Sequence, residues 1–201
     1  MSIKNGRKPR IRRAPEAAKE HILLAAEKVL VEQGPLALKL AEVAAAAEVA
    51  NASVLHHFGS IDGLHAALMQ RMTEQLVANI LAVALKDADR EGKTAAGVEA
   101  LFDVFETRGA ARLAAWMELT GEARQLTNVR KAVQVVVAQR ASLGDLNAKQ
   151  AEDLVLFAVM LAMGAGLFGR SLERLVGREE GDMRAIAGAA LRAFVDAHRN
   201  D

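Results

Sequence analysis

The sequence predicts an all-helical protein, and three observations support this prediction. Hydrophobic residues make up 52% of the 201 positions, which is enough to build a buried core. Alanine is frequent, whereas there are only three prolines and no tyrosine, and this composition favours helices over strands. Apolar residues recur at helical spacing along most of the chain, and no segment shows the alternation of a half-buried strand.

The first predicted helix begins after Pro15, because proline is well suited to a first helical turn. Its apolar stripe consists of Ile22, Leu23, Ala26, Val29 and Leu30. Gly34–Pro35 ends this helix, and two short helices follow over about 39–47 and 51–57. Helices this short are not stable alone, so residues 16–62 are predicted to pack into one compact domain.

A second helical domain is predicted over residues 63–201, which brings the total to about nine helices. The β-branched segment 133–137 is assigned to a helix because its neighbours keep helical spacing. Asn147 and Gln150 form a plausible capping box, and Asp182 is a plausible cap for the last helix. The predicted helices lie at about 62–87, 94–107, 110–119, 122–142, 147–176 and 182–198.

The net charge of +1 is unevenly distributed. Residues 1–15 form a basic arm without acidic residues, which contains Lys4, Arg7, Lys8, Arg10, Arg12 and Arg13. Such an arm suits a polyanion, because neutralising phosphates releases condensed counterions. A solvated tail without a partner is the alternative interpretation of the arm alone.

Several classes of protein are excluded or disfavoured. The sequence has no cysteine, which rules out disulfides and zinc sites built on thiolates. Residues 1–20 have no apolar core and are not predicted to be a secretory signal. The longest uncharged run, Leu154–Gly169, is shorter than the roughly 20 residues that a membrane-spanning helix needs. A cytoplasmic protein without a membrane partner is expected.

Two short helices joined by a tight turn after a longer helix are typical of a DNA-binding helix-turn-helix. The residue pattern of this region is more specific than the arrangement of its helices. They comprise Ile22-Leu23-x-Ala25-Ala26, Glu32-Gln33-Gly34, Glu42-Val43-Ala44-Ala45-Ala46-Ala47, Val49 and Leu55-His56-His57-Phe58-x-Ser60-x-x-x-Leu64. In order and spacing this pattern, over about residues 16–64, resembles the N-terminal domain of the TetR family. The resemblance implies a homodimeric transcription regulator whose C-terminal helical bundle serves ligand binding and dimerisation.

By this resemblance, the second short helix enters the major groove of double-stranded operator DNA, with Asn51 and Ser53 near the bases. The complete predicted DNA-binding set is Lys39, Asn51, Ala52, Ser53, Leu55, His56 and His57, with Arg10, Arg12 and Arg13 of the arm. Asn51 is alternatively a simple helix cap, and the two histidines are alternatively ordinary surface or capping residues.

The sequence departs from the usual family pattern at four positions. Leu55 replaces a tyrosine and Ile61 a lysine, and both of those residues typically reach DNA phosphates. Leu38 stands where a serine or threonine usually caps the second helix, and Glu48 where the turn usually has glycine. These departures predict weaker phosphate binding without a change of fold.

Two further sets of residues are predicted to be functional. Phe102, Phe105, Trp116, Met117, Met160 and Met163 are either hydrophobic core or the lining of an apolar ligand cavity. The resemblance favours the cavity. The helix at 147–176 is apolar on nearly all sides and needs a partner beyond its own core. The predicted homodimer interface comprises Leu154, Phe157, Leu161, Gly164 and Phe168.

No enzyme, metal site or cofactor is expected. The segment 164–169 fits a dinucleotide-binding glycine pattern, but it lies inside an apolar helix, where small residues indicate close helix packing. The histidines show no metal-binding spacing, and no nucleophile elbow is present. The leading hypothesis is a repressor that a small apolar ligand releases from its operator. The alternative is a helical small-molecule-binding or interaction protein with weak specific DNA binding.

Overall fold

The structure is a computed structural model that describes residues 15–84, 90–122, 127–142, 144, 146–179 and 181–198. In these residues the chain forms nine α-helices and no strand, which confirms the predicted fold class. A short 3-10 helix (Pro35–Ala37) follows the first helix, and a π-helical turn (Asp103–Thr107) extends the fifth. The helices are α1 (Pro15–Gln33), α2 (Leu40–Ala46), α3 (Asn51–Phe58), α4 (Ile61–Ala84), α5 (Arg90–Phe102), α6 (Ala110–Thr120), α7 (Thr127–Ala141), α8 (Ala148–Leu175) and α9 (Asp182–His198).

Helices α1 to α3 pack into a small unit, which we call the N-terminal unit (residues 15–60). The predicted apolar stripe of α1 is buried, and Val43 of α2 and Val54 of α3 pack against it. A ring nitrogen of His21 lies 2.9 Å from the carbonyl oxygen of Ala47, which fastens α1 to the end of α2. The two short helices are therefore held by tertiary contacts, as their length requires.

Helix α4 joins the N-terminal unit to the remaining helices. Its buried residues Leu64, Leu68, Met72 and Leu76 follow one another at four-residue spacing, so they lie on one face. This face is part of a hydrophobic cluster that continues from α1 to α9. The hydroxyl of Ser60 accepts a hydrogen bond of 3.0 Å from the N–H of Gly63 at the start of α4. A displacement of α4 would therefore move the N-terminal unit with it.

The start of α8 has the predicted cap, whereas the start of α9 is capped differently from the prediction. Asn147 and Gln150 form the predicted capping box, with two reciprocal hydrogen bonds of 3.0 and 2.9 Å. Asp182 is the first residue of α9 and accepts a hydrogen bond from Arg178. The N-terminal amides of Gly181 and Met183 instead donate to the carboxylate of the buried Glu173, which reaches them from α8.

Most of the fully buried positions of helix α8 are small residues, whereas several of its large apolar residues are exposed. Its buried positions include Ala151, Ala162, Ala165 and Gly169, whereas Leu156, Met160, Phe168 and Leu172 are exposed. By length and composition α8 could cross a membrane, with a mean hydropathy of 1.8 over its most apolar window, of which 17% is buried. The inner face is suited to close packing within the chain, and the outer face has no apolar cover in the described residues.

Two glycines of α8 have opposite surroundings. A Cβ atom on Gly166 would lie 2.6 Å from the Cβ of Ala111 and 2.7 Å from the carbonyl oxygen of Phe105. A Cβ atom on Gly164 would meet nothing within 4 Å. The interpretation of this segment as a close-packing element is therefore confirmed for Gly166, and Gly164 faces open space.

Candidate functional site

The turn between α2 and α3 is short and conformationally strained. Glu48 has a φ of 53°, which is the left-handed region that side-chain-bearing residues rarely adopt. The N–H of Val49 donates a hydrogen bond of 3.0 Å to the carbonyl of Ala44 and closes the turn. A non-glycine residue in this conformation costs about 1 kcal/mol, so Glu48 reduces the stability of the turn.

Helix α3 has one buried and one exposed face. Val54 is fully buried, and Phe58 packs against the core. Ser53 and His57 are half-buried, and the remaining predicted contact residues of this helix are exposed. The exposed residues are Asn51, Ala52, Leu55 and His56. Their exposure leaves the start and the outer face of α3 accessible to a macromolecular partner.

The side chain of Asn51 does not cap α3. The N-cap residue is Ala50, no side chain caps this end, and Asn51 is the first helical residue. Among the described residues the amide of Asn51 makes no side-chain hydrogen bond, so its donor and acceptor groups are available for another molecule. This excludes the alternative interpretation of Asn51 as an N-cap.

The start of α2 differs from the expectation based on Leu38. The N-cap residue is Lys39, whose side chain makes no capping bond, and Leu38 is 2% exposed and belongs to the core. The exposed Lys39 has no ion pair in the part of the chain that the structure describes, so its charge is available beside α3. Arg10, Arg12 and Arg13 lie outside the described residues.

The charge of the N-terminal unit is opposite to that of the arm. Residues 15–60 contain three lysines and six glutamates, with no arginine or aspartate. Of the nearby cations, Lys19 lies above the ring of Phe58, with its Nζ 5.8 Å from the ring centroid. The unit is net acidic on its own, and the six basic residues of the arm reverse that balance.

A buried histidine connects the N-terminal unit to the C-terminal helices. Nε2 of His65 on α4 lies 2.9 Å from the carbonyl oxygen of Leu38, and Nδ1 lies 2.9 Å from Oε2 of Glu122. The ring stands edge-on to Trp116, with 4.8 Å between the ring centroids. Asp62 completes a group whose potential metal-ligating atoms, with those of His65 and Glu122, all lie within 4.8 Å of one another.

An ionic network forms a second connection. Glu27 of α1 accepts hydrogen bonds from Arg71 of α4 and from Nε of Arg108, which follows the π-helical turn. Burial by itself raises the pKa of Glu27, but the hydrogen bonds and charges of Arg108 and Arg71 outweigh burial and lower the pKa overall. The hydrogen bond to Glu27 in turn raises the pKa of Arg108. Glu27 is therefore held as a carboxylate between two cations.

The six residues of the predicted ligand set do not share one environment. Phe102 and Met117 are fully buried in the core. Phe105, Trp116 and Met163 are half-buried, and Met160 is 59% exposed on the outer face of α8. The three half-buried residues keep part of their surface accessible, whereas Met160 lies with the exposed stripe.

An open groove of about 550 Å³ lies between the N-terminal unit and α6. Trp116 is the one member of the predicted ligand set that lines it. Most of the wall is apolar, and its polar side chains are those of Lys39, Ser60, Asp62 and His65. The apolar residues are Pro35, Leu36, Leu38, Leu40, Leu55, Ile61 and Trp116. The groove thus leads from the outer side of α3 to the buried histidine.

The predicted interface residues of α8 divide between two faces. Leu154, Phe157 and Leu161 are half-buried and pack against the chain's own core. Phe168 is 59% exposed, and Gly164 has open space beside it. The hydrophobic pattern alone did not predict which side of α8 faces the core, since nearly every face of this helix is apolar. The outer stripe also includes Leu156 and Leu172, which were not predicted.

The group of Asp62, His65 and Glu122 was not predicted either. His65 and Glu122 are 57 positions apart, so no sequence spacing identifies them as neighbours. The one available signal was a histidine adjacent to the core position Leu64 on α4.

Residues 22–68 match the family model of the bacterial regulatory proteins of the tetR family. The HTH-type transcriptional activator FasR from Mycolicibacterium smegmatis is 33% identical over 85 residues. This match covers 42% of the chain and 39% of FasR, so the similarity spans less than half of that curated relative.

Solved structures with the same fold cover nearly the whole chain. A transcriptional regulator from Rhodococcus sp. Rha1 has a TM-score of 0.70 and 20% identity, over 89% of this chain and 96% of its own. A TetR variant from Acinetobacter baumannii in complex with minocycline has a TM-score of 0.63 and 16% identity, over 89% and 94%. At this identity the two structures show the fold alone. Residues 22–68 thus match the tetR family model, and the chain as a whole shares the fold of these regulator structures.

Proposed function

We propose that this chain is a DNA-binding transcriptional regulator, with α3 as its recognition helix. The observation that carries the proposal is the state of Asn51, which is exposed at the start of α3 and makes no capping bond. An asparagine amide at this end of a recognition helix can donate to and accept from one adenine edge. Val54 is fully buried and anchors the helix, so Asn51 is presented from a fixed backbone.

The arm is proposed to supply most of the attraction to phosphate. The N-terminal unit has twice as many glutamates as lysines, so without the arm it would repel DNA. The six basic residues before Pro15 reverse that sign. The arm is proposed to follow the backbone or enter a minor groove, with Arg10, Arg12 and Arg13 closest to α1.

The proposed active form is a homodimer that pairs through the outer face of α8. Leu156, Met160, Gly164, Phe168 and Leu172 follow one another at four-residue spacing and form one apolar stripe. Large exposed residues over small buried ones favour a second copy as the cover for this stripe. Ile186 of α9 is also exposed, at 48%.

A small apolar effector is proposed to bind beside Phe105, Trp116 and Met163 in the cytoplasm. Trp116 contacts His65 on α4, so a ligand there can bias the position of the N-terminal unit. The Acinetobacter neighbour, whose structure is a complex with minocycline, supports a small-molecule site in this fold. We propose repression relieved by the ligand. FasR is named an activator, so a reporter assay at the selected operator has to decide the sign of regulation.

The test begins with selection of binding sites from random double-stranded DNA. A specific regulator enriches a two-fold symmetric motif with half-sites about one helical turn or slightly more apart. Asn51→Ala should then cost about 1–3 kcal/mol and relax one base position in each half-site. Asn79→Ala, which truncates an exposed asparagine on α4, is the matched control. It should change neither the binding free energy nor the base preference.

A second candidate function has support from the same surface. Leu55 places an apolar side chain, 41% exposed, where the family usually has a tyrosine, and the unit beneath it is acidic. Both features favour a helical small-molecule-binding or interaction protein with weak specific DNA binding. This candidate replaces the first one when selection enriches no symmetric motif and Asn51→Ala behaves like Asn79→Ala.

The dimer is tested by sedimentation at micromolar concentration. Phe168→Glu places a charge in the α8 stripe and should raise the monomer fraction. Leu119→Glu is the matched control, because Leu119 is 88% exposed on α6, outside the stripe. A monomeric wild-type chain, or equal effects of the two substitutions, contradicts the proposed interface.

A further inference from the structure

We propose that Asp62, His65 and Glu122 form a binding site for a divalent transition-metal ion, with Zn²⁺ as the best-fitting ion. The site lies where the N-terminal unit meets α6, at the inner end of the groove. All three ligands belong to the chain itself, so metal binding here is independent of DNA binding.

The hydrogen bonds of His65 determine which of its ring nitrogens carries a hydrogen. The carbonyl oxygen of Leu38 can only accept, so Nε2 of His65 carries the hydrogen of that 2.9 Å contact. The lone pair of a neutral ring then lies on Nδ1, which faces Oε2 of Glu122 at 2.9 Å. A lone pair and a carboxylate oxygen repel each other at this distance unless a proton or a cation lies between them.

The arrangement around His65 is the one that metal-bound histidines show. Such histidines commonly donate their other N–H to a backbone carbonyl or a carboxylate, which fixes the ring and the free nitrogen. In this chain the backbone carbonyl of Leu38 accepts the N–H of His65. That carbonyl is held at the end of a short 3-10 helix that starts at Pro35. The His65 side chain is 3% exposed and that of Glu122 is 11% exposed, so water competes weakly for both.

Asp62 supplies the third ligand from the same helix. It precedes His65 by three residues, and residues at this spacing lie on one face of a helix. The three ligand atoms lie within 4.8 Å of one another, whereas a tetrahedral ion with bonds of about 2.1 Å holds its ligand atoms about 3.4 Å apart. On binding, Nδ1 of His65 and Oε2 of Glu122, which are 2.9 Å apart, would separate by about half an ångström, and the half-buried Asp62 side chain would complete the set.

The donor set indicates the class of ion. One imidazole with two carboxylates suits Zn²⁺ and similar first-row ions, while Mg²⁺ prefers oxygen ligands alone. Three protein ligands leave a coordination position for water, which the groove can admit. The oxygen Oε1 of Glu122 lies 3.3 Å from the hydroxyl of Thr120, whose nearest acceptor is the carbonyl oxygen of Trp116 at 3.0 Å.

Metal binding here would connect three segments of the chain. Asp62 and His65 begin α4, Glu122 follows α6, and His65 holds Leu38 directly before the start of α2. An ion bound by this group would therefore fix the N-terminal unit against the C-terminal helices.

The test uses the full chain after treatment with a chelator. Titration with Co²⁺ should produce visible d–d absorption at one ion per chain, and calorimetry with Zn²⁺ should give the same stoichiometry. Glu122→Gln and Asp62→Asn should each weaken Zn²⁺ binding at least about tenfold. Glu118→Gln, which removes an exposed carboxylate four residues before Glu122, is the matched control and should bind as the wild type does.

Two results would overturn the proposal. The absence of stoichiometric Co²⁺ and Zn²⁺ binding would mean that a proton alone lies between His65 and Glu122. Equal Zn²⁺ affinity in Glu122→Gln, Asp62→Asn and Glu118→Gln would place the ion elsewhere, for example at His56 and His57. Circular dichroism of each metal-free variant verifies its fold, and the exposed edge of Asp62 makes Asp62→Asn the variant least able to disturb it.

Discussion

Replacing Glu27 by glutamine should lower the free energy of unfolding by about 2 kcal/mol. The Glu27 carboxylate accepts a bond of 2.5 Å from Arg71 and bonds of 2.5 and 3.0 Å from Arg108. Hydrogen bonds to charged groups contribute about 1.5–3 kcal/mol, and breaking a buried ion pair costs about 3–5 kcal/mol. The Glu27 side chain is 15% exposed and glutamine keeps one acceptor oxygen, so we place the cost below the second range.

Urea unfolding measures this difference. Wild type and variant are compared at equal chain concentration, because the stability of an associating protein depends on concentration. Glu32→Gln is the matched control, since Glu32 lies on the same helix and pairs with Lys28 at 3.9 Å on the exposed surface. Loss of this exposed ion pair should lower the free energy of unfolding by about 0.5 kcal/mol or less.

The pH dependence provides a second measurement on the same variant. The pKa of folded Glu27 lies below the ordinary value of 4.5, despite burial, because Arg108 and Arg71 favour the carboxylate. A lowered pKa contributes stability that is complete above about pH 4.5 and is lost as the pH falls through the folded value. The gap between wild type and Glu27→Gln should therefore narrow on acidification. This reasoning would be refuted if Glu27→Gln lowered the free energy of unfolding no more than Glu32→Gln does. It would also be refuted if the stability difference between wild type and Glu27→Gln widened in acid.

Three other substitutions and one deletion test separate parts of the molecule. Gly166→Leu should destabilise the fold by about 1–3 kcal/mol in thermal or urea unfolding, because its Cβ collides with a backbone carbonyl. Gly164→Leu should instead leave intrachain packing intact and raise the monomer fraction in sedimentation; the reverse pattern would contradict both assignments. Leu55→Tyr should tighten binding to specific and random DNA alike, since a phosphate contact reads no base, and a gain at the operator alone would contradict that role. Deletion of residues 1–13 should weaken binding at all sequences and flatten the salt slope by about 0.9 per lost phosphate contact, whereas an unchanged slope would make the arm a passive tail.

The fold was predictable because local signals agree with the tertiary structure along most of the chain. Asp182–His198 coincides with the predicted last helix, and the capping box at Asn147 forms as expected. The β-branched segment 133–137 is helical because its neighbours set the period. The π-helical turn at Asp103–Thr107 was not predicted, since one additional residue in a helical turn leaves no clear mark in an apolar pattern.

The candidate sites were predictable only in part, and the reason is long-range geometry. Asn51 and Leu55 could be assigned to α3 because contiguous residues carry the resemblance. Phe157 of α8, which was predicted for a dimer interface, is half-buried and packs against the chain's own core, since composition does not encode the rotation of an apolar helix. The contacts of His65 and Glu27 join segments far apart in sequence, where a single sequence offers no pairing rule.

The left-handed Glu48 has a consequence for how this chain can evolve. Glutamate and glycine codons differ by one nucleotide, so a relaxed turn is a single mutational step away. That step would remove about 1 kcal/mol of backbone strain and a carboxylate three residues before Asn51. This single substitution would therefore be expected to stabilise the turn and to make the start of α3 less acidic.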